Sequence, residues 1–160
     1  MHVFGPVPQE PGRVDFQEAL VTWSRIDQEQ VRVELTGPFG ELDVVESNLF
    51  MALLQLRTQL QGKKWLMYVN AARRDAWGPT DLNPCGVDEV RVSPDLNGPA
   101  AAEPLDALGV PSSPDHIGGA SVTEQLLWHQ EWVGVLSSGQ MSWTDLDRSR
   151  KEPRASRGSS

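Results

Sequence analysis

The sequence predicts an α+β domain: a mainly antiparallel sheet of about four strands with two helices packed on one face. Three patterns carry this expectation. Val31, Val33 and Leu35 alternate with Arg32, Glu34 and Thr36, the period-two signature of a half-buried strand. Leu49, Leu53, Leu56 and Leu60 recur at spacings of four, three and four, which stacks them on one face of a helix. The apolar run Trp65–Val69 follows directly and reads as a central strand covered on at least one face. Connections between most strand pairs are too short to hold a helix, so neighbouring strands should run antiparallel.

Taken in order, residues 1–12 contain Pro6, Pro8 and Pro11 and read as an irregular arm, with a single domain spanning 13–139. Glu18–Ile26 is rich in Leu, Val, Thr, Trp and Ile, and Asp27-Gln28-Glu29 should join it to the Val31–Thr36 strand as a hairpin. Thr36-Gly37-Pro38-Phe39-Gly40 then turns the chain. Asn48 suits the helix N-cap, since its side-chain oxygen can accept from an unpaired backbone N–H. Gly62 suits the C′ position, and Lys63 and Lys64 follow where the helix dipole favours positive charge. Asp88–Val92 offers another short strand.

Residues 93–120 hold five prolines, four glycines, four acids and neither Lys nor Arg, which predicts a long excursion with a turn of helix near Glu103–Leu108. A second helix should start at Ser121, with Ser121 and Glu124 as a capping box. Val122, Leu126, His129, Val133 and Leu136 would form its apolar stripe, with Trp132 beside it and Ser137-Ser138-Gly139 as its end. Residues 140–160 are polar, charged and glycine- and serine-bearing, a disorder-prone composition.

A chain of 160 residues is expected to form one domain. Its one cysteine excludes an internal disulfide framework, and no apolar run approaches the roughly 20 residues of a membrane span. The start MHVFGPVPQEPG has no signal-peptide pattern, so a cytoplasmic location is the expectation. The net charge of −8 is unevenly spread: residues 1–146 hold nine basic and twenty acidic residues, and residues 147–160 hold five basic and two acidic ones. An acidic body repels phosphate backbones, which argues against nucleic acid and for a basic protein partner, if the chain has one.

Candidate chemistry is sparse. Arg73-Arg74-Asp75 at a strand end, with Trp77 just beyond, is the strongest constellation, since guanidinium forks grip carboxylates or phosphates. The alternative is an internal ion pair, because successive strand residues point to opposite faces. His129 on the second helix reads either as a buried base or as a core histidine. Cys85 lies in the turn Asn83-Pro84-Cys85-Gly86 without a sequence-adjacent histidine to stabilise a thiolate. His2, His116 and His129 lack paired ligand spacing, so no metal site and no cofactor are expected. Trp128 and Trp132, one turn apart, read as core margin or partner anchors.

The order NLFMALLQLRTQLQ, strand, AARRDAW resembles a family of small, largely uncharacterised bacterial proteins that pair a D-L-F-x-A-L-x-x-L-R helix with a G-A-R-x-D strand end. SVTEQLLWHQEWVGVL resembles that family's closing helix with its V-x-E-Q start, and the matched segments cover about a third of the chain. The following loop departs from the family's S-G-M-x-x-D-M-G pattern, reading GPTDLNPCG at 78–86. The resemblance implies a fold more than an activity. Small size and acidity are similar in character to immunity proteins that neutralise bacterial toxins. Two functions follow as expectations. One is a non-enzymatic, immunity-like interaction module that binds a basic protein through its acidic surface and the 72–86 and 93–120 loops. The other is a small enzyme or small-molecule-binding protein with a pocket between the Arg73–Asp75 strand end and the His129 helix.

Overall fold

The computed structural model describes residues 1–97, 103–116 and 121–138, and the predicted disordered tail at 140–160 lies outside them. Among the described residues the fold is mixed α+β, with two helices and three antiparallel sheets of three strands each in place of the single four-stranded sheet expected. Strands β1 (His2–Pro6), β2 (Val14–Glu18), β3 (Leu20–Arg25), β4 (Val31–Gly37) and β5 (Gly40–Glu46) all precede the first helix.

Only Ala19 separates β2 from β3, and outward even-numbered residues alternate with inward odd-numbered ones throughout Val14–Ser24. The two strands are thus one pleated run serving two ladders, with β2 paired to β1 and β3 paired to β4. At the changeover the Ala19 N–H donates to the Met1 carbonyl at 2.8 Å, and the Met1 amine donates to the Ala19 carbonyl at 3.0 Å.

The arm expected to be irregular over residues 1–12 instead contributes β1, the middle strand between β2 and β6 (Leu66–Met67). Its prolines do not prevent this. Pro6 closes the strand, and Pro8 and Pro11 lie in the turn leading to β2, where a missing N–H breaks no ladder bond. The β3–β4 hairpin forms as predicted, closed by Ile26 N–H donating to the Gln30 carbonyl at 2.9 Å. At the β4–β5 turn Gly40 has φ 103, a conformation open to glycine without steric cost. Strand β5 was not predicted. Its inward Leu42 and Val44 alternate with Glu41 and Asp43, but the outward Val45 blurs the period.

Helix α1 (Leu49–Gln61) matches its leucine stripe: Leu49, Leu53, Leu56 and Leu60 are buried, and the helix lies over β4 and β5. The Asn48 side chain accepts from Met51 N–H at 2.9 Å, as the N-cap expectation requires. The C-terminal expectation is corrected. Gly62 is right-handed at φ −62, and the left-handed residue is Lys64 at φ 66.

Trp65–Val69 is not the central strand expected. Only Leu66–Met67 pair, and β6 lies at the margin of its sheet. Its continuous apolar character has another cause: Trp65, Met67 and Val69 are buried while Leu66 and Tyr68 stay half-buried on the other side. The Trp65 indole lies so close over Gly5 that a Cβ there would meet the ring at 2.2 Å.

A 3-10 turn, Asn70–Ala72, then leads to the third sheet, formed by β7 (Ala76–Trp77), β8 (Glu89–Val92) and β9 (Leu105–Asp106) in that order. The predicted Asp88–Val92 strand is β8, whereas the helical turn expected near Glu103–Leu108 is strand β9. Backbone pairing decides this: Leu105 and Asp106 lie opposite Val90 and Glu89 of β8, and Ala107 N–H reaches the Asp88 carbonyl at 2.9 Å.

Helix α2 (Val122–Ser138) begins where predicted, and the Ser121 half of the expected capping box forms, with Ser121 Oγ accepting from Glu124 N–H at 3.0 Å. Gln61 at the end of α1 adds a cap, its Oε1 accepting from Val122 N–H at 2.9 Å. The inward face differs from the expected stripe. Val122, Gln125 and Trp132 are buried and His129 is half-buried, whereas Leu126 is exposed. The Leu136 side chain lies outside the described residues. Helix α2 rests beside α1 and against β7, where Trp132 forms a small second cluster with Leu82, Leu96 and Val133. No helix among the described residues is long and apolar enough to cross a membrane.

Candidate functional site

The chain from Asn70 to Trp77 crosses in front of α2, and its backbone carbonyls point at that helix. A short, irregular segment of this kind has few ladder partners, so its carbonyls need donors from elsewhere. Gln125 supplies them. Its fully buried amide nitrogen lies 2.9 Å from the Ala71 carbonyl, 2.7 Å from that of Arg73 and 2.9 Å from that of Ala76. Its oxygen accepts from the Arg57 guanidinium, which arrives from α1 and also reaches the Ala71 carbonyl at 3.5 Å. One amide thus ties α1, α2 and the 70–77 segment together, with both ends of the group satisfied. Burial pulls the Arg57 guanidinium down from its ordinary value to about 10, so it stays charged at neutral pH.

The predicted strand-end residues lie together, but they face one another. Arg73 forks onto Asp75, Nε to Oδ1 at 2.8 Å and Nη2 to Oδ2 at 2.9 Å, and the two side chains are only 9% and 15% exposed. Asp75 also anchors the third sheet, since its carbonyl accepts from Ser93 N–H at 2.8 Å. The Ser93 carbonyl in turn accepts from the Trp128 indole N–H at 2.8 Å. Residues 73–75 form a turn ahead of β7 rather than a strand end, closed by Ala76 N–H on the Arg73 carbonyl at 3.2 Å, and the Arg74 guanidinium lies 4.8 Å over the Trp128 ring.

His129 stacks on Trp77 with ring centroids 3.9 Å apart and planes 6° from parallel, and Phe50 of α1 tilts against the far side of this pair, 4.7 Å from Trp77. Burial lowers the imidazole from its ordinary 6.5 to about 4, so at neutral pH it is an uncharged member of an aromatic stack. Asn83 closes the loop behind the stack by donating to the carbonyls of Trp77 and Gly78, both at 2.9 Å. Cys85 lies near the end of that loop, and burial pushes its thiol from 9.0 up to about 11, the opposite of an activated nucleophile. Among the described residues no group of three or more His, Cys, Asp and Glu side chains is arranged to hold a metal ion.

All five predicted binding residues, Arg73, Arg74, Asp75, Trp77 and His129, therefore fall in one region, at the seam between the 70–77 segment and α2. Sequence reasoning missed the two that hold the seam together, Gln125 and Arg57. A signal was present: Arg57 follows Leu53 by four and precedes Leu60 by three, which sets a charge on an otherwise leucine face. Gln125 likewise stands three residues after Val122 on the inward side of α2. No protein-family model matches this sequence, and no curated protein does.

Proposed function

We propose that this chain is a non-enzymatic protein-interaction module of the immunity type, a small acidic protein that acts by covering a basic protein partner. One observation carries the reading. The polar side chains that sequence logic would assign to chemistry spend their bonding capacity on one another. Arg73 is forked onto Asp75, Arg74 rests on Trp128, and His129 is stacked on Trp77 and held neutral. General acid–base work needs a group whose proton affinity lies near the working pH, and burial drives His129 and Cys85 away from it in opposite directions. A small-ligand site between the Arg73–Asp75 segment and α2 would have to compete with pairings already made. The acidic balance of residues 1–146 favours a basic partner and speeds its approach.

The test is purification of the tagged chain from its native host, with native mass spectrometry and titration of whatever protein co-purifies. The expected result is a stoichiometric complex with a basic protein whose affinity falls as salt is added. Recovery of the chain alone at low ionic strength overturns the reading. So does saturable binding of a small molecule that Arg74→Ala abolishes.

A further inference from the structure

We infer that the partner docks on the outward face of the β1–β5 meander, through a surface that combines apolar side chains with Lys and Arg. The inference rests on the interaction-module reading and assigns its surface, away from the 72–86 loop and α2. Because β2 and β3 are one pleated run, their even-numbered side chains share a face with the outward residues of β1, β4 and β5. Helix α1 covers the other side, where Val31, Val33 and Leu35 are buried.

Half of the outward face is apolar. Val14 is 55% exposed, Phe16 52% and Leu20 67%, along a single strand run. Phe16 makes edge-on contacts with Phe4 at 5.1 Å and Tyr68 at 5.4 Å, so these three form one aromatic patch, with Glu18 between it and Leu20. The other half is acidic, with Glu18, Glu34, Glu41 and Asp43 all exposed and outward. Arg32 is taken up by Asp43 and lies 3.4 Å from Glu34, and His2 lies 3.0 Å from Glu18. An open hollow of about 440 Å³ on the surface of β4 and β5 is lined by Arg32, Glu34, Thr36, Glu41, Leu42 and Asp43.

A side chain ending in a cation on an apolar stem satisfies both halves at once. Two other occupants fit less well. A second copy would set Glu18, Glu34 and Glu41 against themselves. Residues 139–160 carry Met141, Trp143 and Leu146, but they set Asp145, Asp147 and Glu152 against five basic side chains, so they meet the acidic half more weakly.

The experiment titrates the full-length, isotope-labelled chain with a synthetic peptide of alternating leucine and lysine. A lysine–serine peptide and a leucine–glutamate peptide serve as comparisons, and the readout is NMR shift mapping. The expected result is saturable binding of the leucine–lysine peptide alone, with the first shifts at residues 14–20 and 32–45. Reversal of Glu34→Lys with Glu41→Lys, or loss of Phe16→Ser with Leu20→Ser, should each weaken binding by about tenfold. A matched reversal elsewhere, Asp81→Lys with Asp95→Lys, should leave it within about twofold.

Equal loss from the matched reversal reduces the effect to general charge attraction and overturns the surface. So does failure of the leucine–lysine peptide to bind. Shifts centred on α2 or residues 72–86 overturn the surface while leaving the interaction module standing. Tighter binding after removal of residues 139–160 identifies the chain's own tail as occupant, and a dimer that Leu20→Ser dissolves identifies a second copy. Either result overturns the proposal. The module reading fails separately, through the host purification.

Discussion

The Gln125 amide nitrogen has only two N–H groups and shares them among three carbonyls while its oxygen accepts from Arg57, and the consequence can be measured. Gln125→Leu leaves the Arg57 guanidinium without its side-chain acceptor and the carbonyls of Ala71, Arg73 and Ala76 without this donor. Leaving a buried charge without its acceptor and removing one donor from each of three carbonyls should lower stability by about 3 kcal/mol in urea unfolding. The double variant with Arg57→Met should show a coupling of about 1–3 kcal/mol, since removing the cation also removes its unmet need. Additivity would mean that the two side chains do not depend on each other. His129 gives a pH prediction with a definite sign. Its folded value, about 4, lies below its ordinary 6.5, so the unfolded chain binds the proton more readily. Stability should be constant above 6.5, fall as pH drops from 6.5 towards 4, and lose that slope below about 4. His129→Phe, which keeps a ring on Trp77 and takes no proton, should flatten the curve in that window. The Arg13 hydrogen bond to Asp15 and the Arg32 hydrogen bond to Asp43 hold those carboxyls below 3.8, so their contribution disappears at still lower pH and does not mask the histidine slope.

At the scale of elements, the end of α1 separates what a sequence can say from what it cannot. Glycine after a helix suggests the left-handed cap, yet Gly62 is right-handed and a Cβ there would meet nothing closer than the Gln59 carbonyl at 4.0 Å. Gly62→Ala should therefore stabilise the protein by about 0.5 kcal/mol, whereas alanine at a left-handed cap would destabilise it. Lys64→Gly should also stabilise, by about 1 kcal/mol, because Lys64 carries φ 66. Thermal melts of the two variants decide the matter, and a destabilised Gly62→Ala would restore the sequence expectation. Both helices and the β3–β4 hairpin were legible because their signals are local: leucine spacing, Asn48 and Ser121 caps, and alternation around Asp27-Gln28-Glu29. Strand β1 was not, since its identity depends on pairing with β2 and β6, the latter sixty residues onward in the chain. Strand β9 was illegible for the same reason, its ladder to β8 having no trace in Leu105 and Asp106 themselves. The candidate site was half legible. Arg73, Asp75 and His129 announce themselves as charged or titratable, whereas a glutamine that organises three carbonyls looks like any polar helix residue.

At the scale of the whole molecule, the first strand decides whether the domain is one cooperative unit. Expectation from the sequence put the folded body at 13–139 and treated the preceding residues as an appendage. In the structure β1 lies between β2 and β6, Val3 is fully buried, and Tyr68 N–H donates to the His2 carbonyl at 2.9 Å. Gly5 provides the flat floor beneath Trp65, whose ring also meets Phe39 edge-on at 5.4 Å beside the β4–β5 turn. Removing residues 1–12 would strip β2 and β6 of their shared partner and bare one side of that indole. A two-residue strand has no independent stability, so β6 would be lost along with its neighbour. The effect should exceed any single core truncation, more than about 5 kcal/mol, which is comparable to the total stability of a domain this size. A variant lacking residues 1–12 should therefore show collapsed amide dispersion by NMR and no cooperative melt. Gly5→Ala supplies the graded control: a Cβ at 2.2 Å from the Trp65 ring forces a shift that should cost about 2 kcal/mol while leaving the fold intact. A truncated chain that melted cooperatively, with the Trp65 environment unchanged, would show that the β3–β5 sheet and α1 are sufficient and that β1 is an accessory.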